Sequence, residues 1–198
     1  MMELRDHPAY KRIETLRRDG MEVEFVVLQH AAPEHGLEEH RLAAEMAMRH
    51  ISERWEVYVE STMEAHPKMR DKQFKHYHWD VELASAAAYP IERLLKKPDA
   101  PYYIDKPRKT SHSIDLGSEA EYAYAFLEPP YGNGFVLKDW EGLNALLFSA
   151  PENLEAYKWS DNWSNFFDDG KEWWGTFFWT VYDRKHEHFV VIAASSTD

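Results

Sequence analysis

Between Trp159 and Tyr182 the chain places ten aromatic side chains in twenty-four residues. That much ring surface cannot stay in water without becoming an aggregation hazard. About half of these rings therefore have to be buried, and the fold must supply a core to receive them. A chain of 198 residues can do so as one domain, since at this size roughly 70% of the unfolded surface is removed from water. With no cysteine present, neither disulfide staples nor any thiolate-based metal site, nucleophile or redox motif is available.

The hydrophobic periods say which elements build that core. Asp6 and Pro8 open a short helix whose apolar face is Tyr10, Ile13 and Leu16, and Gly20 ends it. Met21–Gln29 reads as a strand. Ala44, Met48, Ile51, Trp55 and Val59 recur at three- and four-residue spacings, which predicts an amphipathic helix over about 34–65, closed by Pro67. In Phe74–Leu83 the period changes to two: Tyr77, Trp79, Val81 and Leu83 alternate with His76, His78, Asp80 and Glu82. That predicts a half-buried strand, with Asp80 as the N-cap of a following turn or helix as the competing reading.

Ile91–Lys97 is predicted helical behind Pro90, and the proline-bearing stretch 98–107 is the best internal linker. Ser111–Leu116, Glu119–Leu127 and Glu155–Trp159 are predicted strands, with a helix from Asp139 to Phe148 and a turn or two of helix capped by Asp161. Thr176–Tyr182 and His188–Ala194, joined at Asp183-Arg184-Lys185, form the clearest hairpin. Strands joined by hairpins and segregated helices give an α+β class: a single domain over 1–198, with a mostly antiparallel sheet packed against a long amphipathic helix and shorter helices.

Charge then limits the partners. Lysine and arginine number 23 against 35 carboxylates, a net of −12. This lacks the basic footprint of a nucleic-acid binder and would be repelled by anionic membrane surfaces. No run approaches the length of a transmembrane helix. The opening residues lack the basic-then-apolar layout of a secretory signal, and the cytoplasm is the expected location. An acidic protein associates quickly with a basic one, because complementary fields raise the encounter rate.

The familiar catalytic and nucleotide-binding motifs are missing. The Gly132–Gly134 pair is a turn, without the third glycine a dinucleotide site needs. Two weaker constellations remain. On a strand, His76, His78 and Asp80 would stand in one row about 6.6–6.8 Å apart, with the right chemistry for zinc or non-haem iron if another ligand joined them. No other cofactor is expected. His186 and His188 repeat the His-x-His spacing, although His186 falls in the predicted turn. His30, His35, Glu39 and His40 gather at the start of the long helix, where the macrodipole alone accounts for the acidic residues.

The aromatic segment offers the larger candidate. Trp159, Trp163, Trp173 and Trp174 are interleaved with Asp161, Asp168 and Glu172, and tryptophan beside carboxylates is the chemistry of an interface hot spot. The leading expectation is a protein-binding module, an inhibitor- or immunity-like partner of a basic protein. An alternative is a hydrolase acting on a small polar or carbohydrate substrate through those carboxylates or the His76/His78/Asp80 row. A second alternative is a subunit whose aromatics pack a homo-oligomer.

Overall fold

The C-terminal hairpin is the centre of the molecule. A computed structural model describes residues 1–30, 35–69, 74–98, 120–132 and 134–196. Its six strands are β1 (Met2–Glu3), β2 (Glu24–Gln29), β3 (Ala86–Ala88), β4 (Leu154–Trp159), β5 (Thr176–Asp183) and β6 (His188–Ser195). They form one sheet in the order β1-β2-β6-β5-β4-β3 with every pairing antiparallel. The helices are α1 (Ala9–Arg18), α2 (Leu37–Ala65), α3 (Ile91–Leu94), α4 (Glu121–Leu127) and α5 (Leu137–Leu147). This is the α+β architecture with a long helix that the periodicity predicts.

Side chains alternate along β5 and β6, so each strand feeds two cores. Phe177, Trp179 and Val181 join Phe25, Val190 and Ile192 on one face, covered by Ile13 and Leu16 of α1, Tyr122 and Phe126 of α4, and Leu143 and Leu147 of α5. Phe178 and Tyr182 join Val26, Leu28, Phe189 and Val191 on the other face, covered by α2. Both faces of the hairpin are therefore core, whereas the sequence favours the Trp179/Val181 face alone. Phe189 to Ala194 runs apolar without a break, which is how a strand buried on both faces reads.

Helix α2 lies close to the sheet because Ala43, Ala44 and Ala47 are small, with Met48 and Ile51 filling the space beside them. Its 29 residues span about 44 Å at 1.5 Å per residue. The C-terminal half outruns the sheet, so Val57 and Tyr58 are exposed. At the end of α1, Gly20 takes φ +98°, a left-handed conformation that a side chain resists.

Several local expectations need correction. Glu121–Leu127 is a helix, not a strand. Tyr-Ala-Tyr-Ala-Phe satisfies both periods, and over so short a run Tyr122 and Phe126 one turn apart serve a helix equally well. Phe74–Leu83 adds no strand to the sheet; it makes one isolated bridge, Trp79 to Ser164, before a 3-10 turn at Val81–Leu83. The competing N-cap reading of Asp80 holds, since its Oδ1 accepts from the Glu82 N–H at 3.1 Å. Asp139 sits inside α5, where its Oδ2 accepts from the backbone N–H of Val136 at 3.0 Å. Ser164, rather than Asp161, caps the turn Asn165–Phe167. The predicted strand Ser111–Leu116 and most of the linker 98–107 lie outside the described residues.

Candidate functional site

The tryptophan-rich segment belongs to the core. Nine of its ten rings are buried, and only Trp173, at 55% exposure, faces water. Trp163 packs edge-on against Phe178 at 5.1 Å and Phe167 at 5.3 Å, and its Nε1 donates to the Ser160 carbonyl at 2.6 Å. Trp174 donates to the Glu128 carbonyl at 2.7 Å, and Trp159 to the Thr180 hydroxyl at 2.9 Å. Each indole thus finds both an apolar seat and a hydrogen-bond acceptor, which is what burying tryptophan demands. Trp159, Trp163 and Trp174 cannot anchor a partner.

Their acidic neighbours are spread over local tasks. Asp161 accepts from the Thr176 hydroxyl at 2.7 Å, Asp168 pairs loosely with Lys171 at 3.4 Å, and Glu172 is exposed. His76, His78 and Asp80 are all exposed, as strict alternation requires. They still do not converge. Among the described residues only Asp183, His186 and His188 bring three ligand atoms within reach of one ion. The segment 76–80 is held instead through its backbone by Asn165, which bonds the His76 carbonyl at 2.8 Å and the His78 N–H at 2.7 Å.

What the fold builds at its surface is a wide, open groove of about 1080 Å³ where α2 outruns the sheet beside α1 and β2. Its floor is a run of rings. Tyr58 stacks on Trp55 at 5.6 Å, Trp55 lies 5.8 Å from Tyr77, and Tyr77 meets buried Phe166 edge-on at 5.4 Å. Trp55 is fixed by a 2.7 Å bond from its Nε1 to the Lys75 carbonyl. Exposed Tyr131 also lines the groove.

The walls are mostly acidic. Glu3, Glu14, Glu22, Glu24, Glu53 and Asp169 face Arg5, Arg17 and Arg54. Two of these arginines already hold Glu24, at 2.8 Å from Arg17 and 3.4 Å from Arg54. Lys75 pairs with Asp169 at 3.1 Å. Burial pushes the Glu22 carboxyl above its ordinary pKa, with Glu24 adding to the rise against a hydrogen bond from Ser196. The sequence hides this groove, because Trp55 and Val59 read as part of the core stripe. A faint signal exists in Val57, an apolar residue on the face shared with Glu53, Glu56 and Glu60.

A second polar feature is internal. His40, fully buried, sits 2.7 Å from the Thr180 hydroxyl that also accepts from Trp159. Its ring is wedged between Tyr157 at 4.6 Å and Phe189 at 4.9 Å, and its Nε2 has no hydrogen-bond partner. Burial, with smaller contributions from His35 and His30, drives its pKa down to about 3 against the Thr180 hydrogen bond. It is a neutral core histidine. The helix-macrodipole account of this cluster does not reach it.

The third feature closes the β5–β6 hairpin. Asp183, without any exposure, accepts from Ser149 N at 2.7 Å and Ser149 Oγ at 2.8 Å, and from the backbone N–H groups of Lys185 and His186 at 3.0 and 3.2 Å. Burial alone would raise its pKa, but these bonds and neighbouring His186 hold it below the usual carboxylate value. No helix among the described residues is long and apolar enough to cross a membrane. Comparison with known proteins finds no match among family models, curated sequences or solved structures.

Proposed function

We propose that this chain is a protein-binding module that receives a basic segment of a partner in the α2 groove, in the manner of an inhibitor or immunity protein. The observation that carries the reading is the groove itself: an aromatic floor ending in exposed Tyr58, between walls with six carboxylates and three arginines. Exposed aromatics surrounded by groups that exclude water are what interface hot spots are made of. The net charge of −12 supplies long-range attraction for a cationic partner. The groove's volume also lies just above the roughly 300–1,000 Å³ of small-molecule sites, and it is open where those enclose their ligand.

The test is retrieval of a partner at low salt, followed by binding measurements on the purified pair. Tyr58→Ala and Glu53→Lys, both at exposed side chains, should each weaken binding tenfold or more while the fold stays intact. Rising salt should weaken it steeply. A partner held equally well by both variants, or the absence of any partner at low salt, ends this reading.

One observation favours the hydrolase alternative in the same groove. Glu22 has a raised pKa while Glu24 is held by two arginines, and two carboxylates in contrasting environments are what acid–base catalysis needs. Two positions apart on extended chain, their backbones are about 6.6–6.8 Å apart. Hydrolysis of a soluble polysaccharide that disappears in Glu22→Gln would favour the enzyme. The homo-oligomer alternative predicts a concentration-dependent mass in sedimentation that Tyr58→Ala abolishes.

A further inference from the structure

The hairpin loop between β5 and β6 gathers chemistry that the groove does not use, since none of its residues lines that groove. We propose that Asp183, His186 and His188 bind one divalent transition-metal ion of the zinc class, leaving its fourth position open. Two imidazole nitrogens and a carboxylate are a ligand set such ions accept, and three protein ligands leave room for water or an incoming donor.

Backbone topology sets the three together. Asp183 and His188 are paired opposite each other across the hairpin, and His186 follows Asp183 by three residues in the loop. One donor atom from each of the three lies within 4.8 Å of the others, and His186 Nδ1 is already 3.1 Å from Asp183 Oδ2. Bonds of about 2.0–2.1 Å put neighbouring ligands of a tetrahedral ion roughly 3.3 Å apart. One edge of the tetrahedron is thus present, and the others close by on the order of 1.5 Å, given that bond length. His186, whose side chain is 46% exposed on the loop, has room to adjust its own two edges, while the buried Asp183 and His188 side chains set the edge between them.

The surroundings orient the two fixed ligands, as outer partners do in built metal sites. Ser149 holds the Asp183 carboxylate through its amide and its hydroxyl. His188 Nε2 lies 3.3 Å from the Leu147 carbonyl. A carbonyl only accepts, so while this contact is made Nε2 carries the proton and the other ring nitrogen holds the lone pair. The His7 ring stands edge-on against His188 at 5.3 Å and restrains its tilt, and His7 Nδ1 is engaged by the Ala9 N–H at 3.3 Å. Of the two flanking cations, Arg184 is turned onto the Glu152 carbonyl at 2.7 Å, and Lys185 is exposed. Asp183 alone is explained by the turn it stabilises. The imidazole at 186, with its backbone already doing the turn's work, is not.

Titration calorimetry of the chelator-treated chain with zinc chloride tests this. The expected result is one ion per chain and a raised melting temperature. His186→Ala, at an exposed position, should lower the affinity at least tenfold with an unchanged circular dichroism spectrum. Ser149→Ala should lower it about 10–100-fold by releasing Asp183. The double variant His76→Ala/His78→Ala should bind zinc as the parent does. Uptake unaffected by His186→Ala, uptake that depends on His76 and His78, or no stoichiometric uptake would each overturn the proposal. Tyr58→Ala leaves this site untouched, so its fate and that of the groove are read separately.

Discussion

The two faces of the central sheet are both buried and are built on different chemistry. On the face under α1, α4 and α5, the hairpin contributes Phe177, Trp179, Val181, Val190, Ile192 and Ala194. On the face under α2, Phe178, Phe189 and Val191 share the space with Thr180 and His40, a polar pair tied to the Trp159 indole. The apolar part of the first face draws its stability from transfer of area out of water, which does not respond to pH, and its titratable groups, Asp183 and His188, sit at the turn end of the hairpin beside Ser149 and Leu147. The second depends on an imidazole staying neutral and on one hydroxyl serving two ring nitrogens. A single hairpin thus supplies one core whose titratable groups, Asp183 and His188, lie at its turn and one whose titratable group, His40, lies against the middle of β5.

Large-to-small substitution should give the biggest effects and should not distinguish the faces. Trp179→Ala, at the centre of the apolar face, is expected to cost about 3–5 kcal/mol by denaturant unfolding. Trp163→Ala, under α2, should fall in the same range; a loss under about 1 kcal/mol would return Trp163 to the surface role suggested by its sequence context.

Thr180→Val separates the faces. It keeps the side-chain shape and removes the oxygen bonded by both His40 and Trp159. Leaving two buried groups unsatisfied should cost about 2–4 kcal/mol, whereas Val181→Thr on the other face introduces a hydroxyl with no partner waiting. Equal tolerance of Thr180→Val and of a surface threonine change would mean that the network contributes nothing.

Acid should act next. A histidine whose folded pKa is depressed to about 3 is protonated in the unfolded chain first. Its contribution is therefore complete above about pH 6.5 and is lost as pH falls towards 3, at roughly 1.4 kcal/mol per unit. By pH 5 the loss from His40 is about 2 kcal/mol. His7 and His188, also depressed chiefly by burial, and Asp183, held low by its hydrogen bonds despite burial, add losses in the same direction. His40→Gln should flatten the stability profile between pH 6.5 and 4 relative to the parent. An unchanged slope would remove His40 from the account.

The smallest effect is expected at Trp173. Its side chain is the exposed member of the aromatic segment, so Trp173→Ala should change stability by no more than about 0.5 kcal/mol. A melting temperature lowered as far as in Trp163→Ala would show that Trp173 is covered in solution.

Much of this architecture was legible in the residues. The Thr176–Tyr182 and His188–Ala194 strands, their alternation, and the Met48/Ile51 stripe of α2 follow from periods of two and 3.6 that run long enough to be unambiguous. Glu121–Leu127 was not legible as a helix, because seven residues of alternating large and small side chains satisfy either period. Trp159, Trp163 and Trp174 looked available for binding because nothing local says whether an indole will find an acceptor. The acceptors Thr180 and Glu128 became available only when distant segments packed, whereas Trp163 finds its acceptor, the Ser160 carbonyl, three residues away.

Sequence by itself determined that this chain must bury an aromatic segment, pair a terminal hairpin and carry a strong negative charge. Those are properties of local pattern and composition, and they survive any arrangement of the elements. Tertiary structure decided the rest. It placed β5 and β6 at the sheet's centre and so buried both of their faces. It carried the end of α2 beyond the sheet, turning Trp55 from core stripe to groove floor. It also chose His186 and His188 over His76 and His78 as a metal-competent pair, because the hairpin register sets Asp183 opposite His188. Spacing along the chain is the same in both His-x-His pairs; only the fold brings a third ligand to one of them.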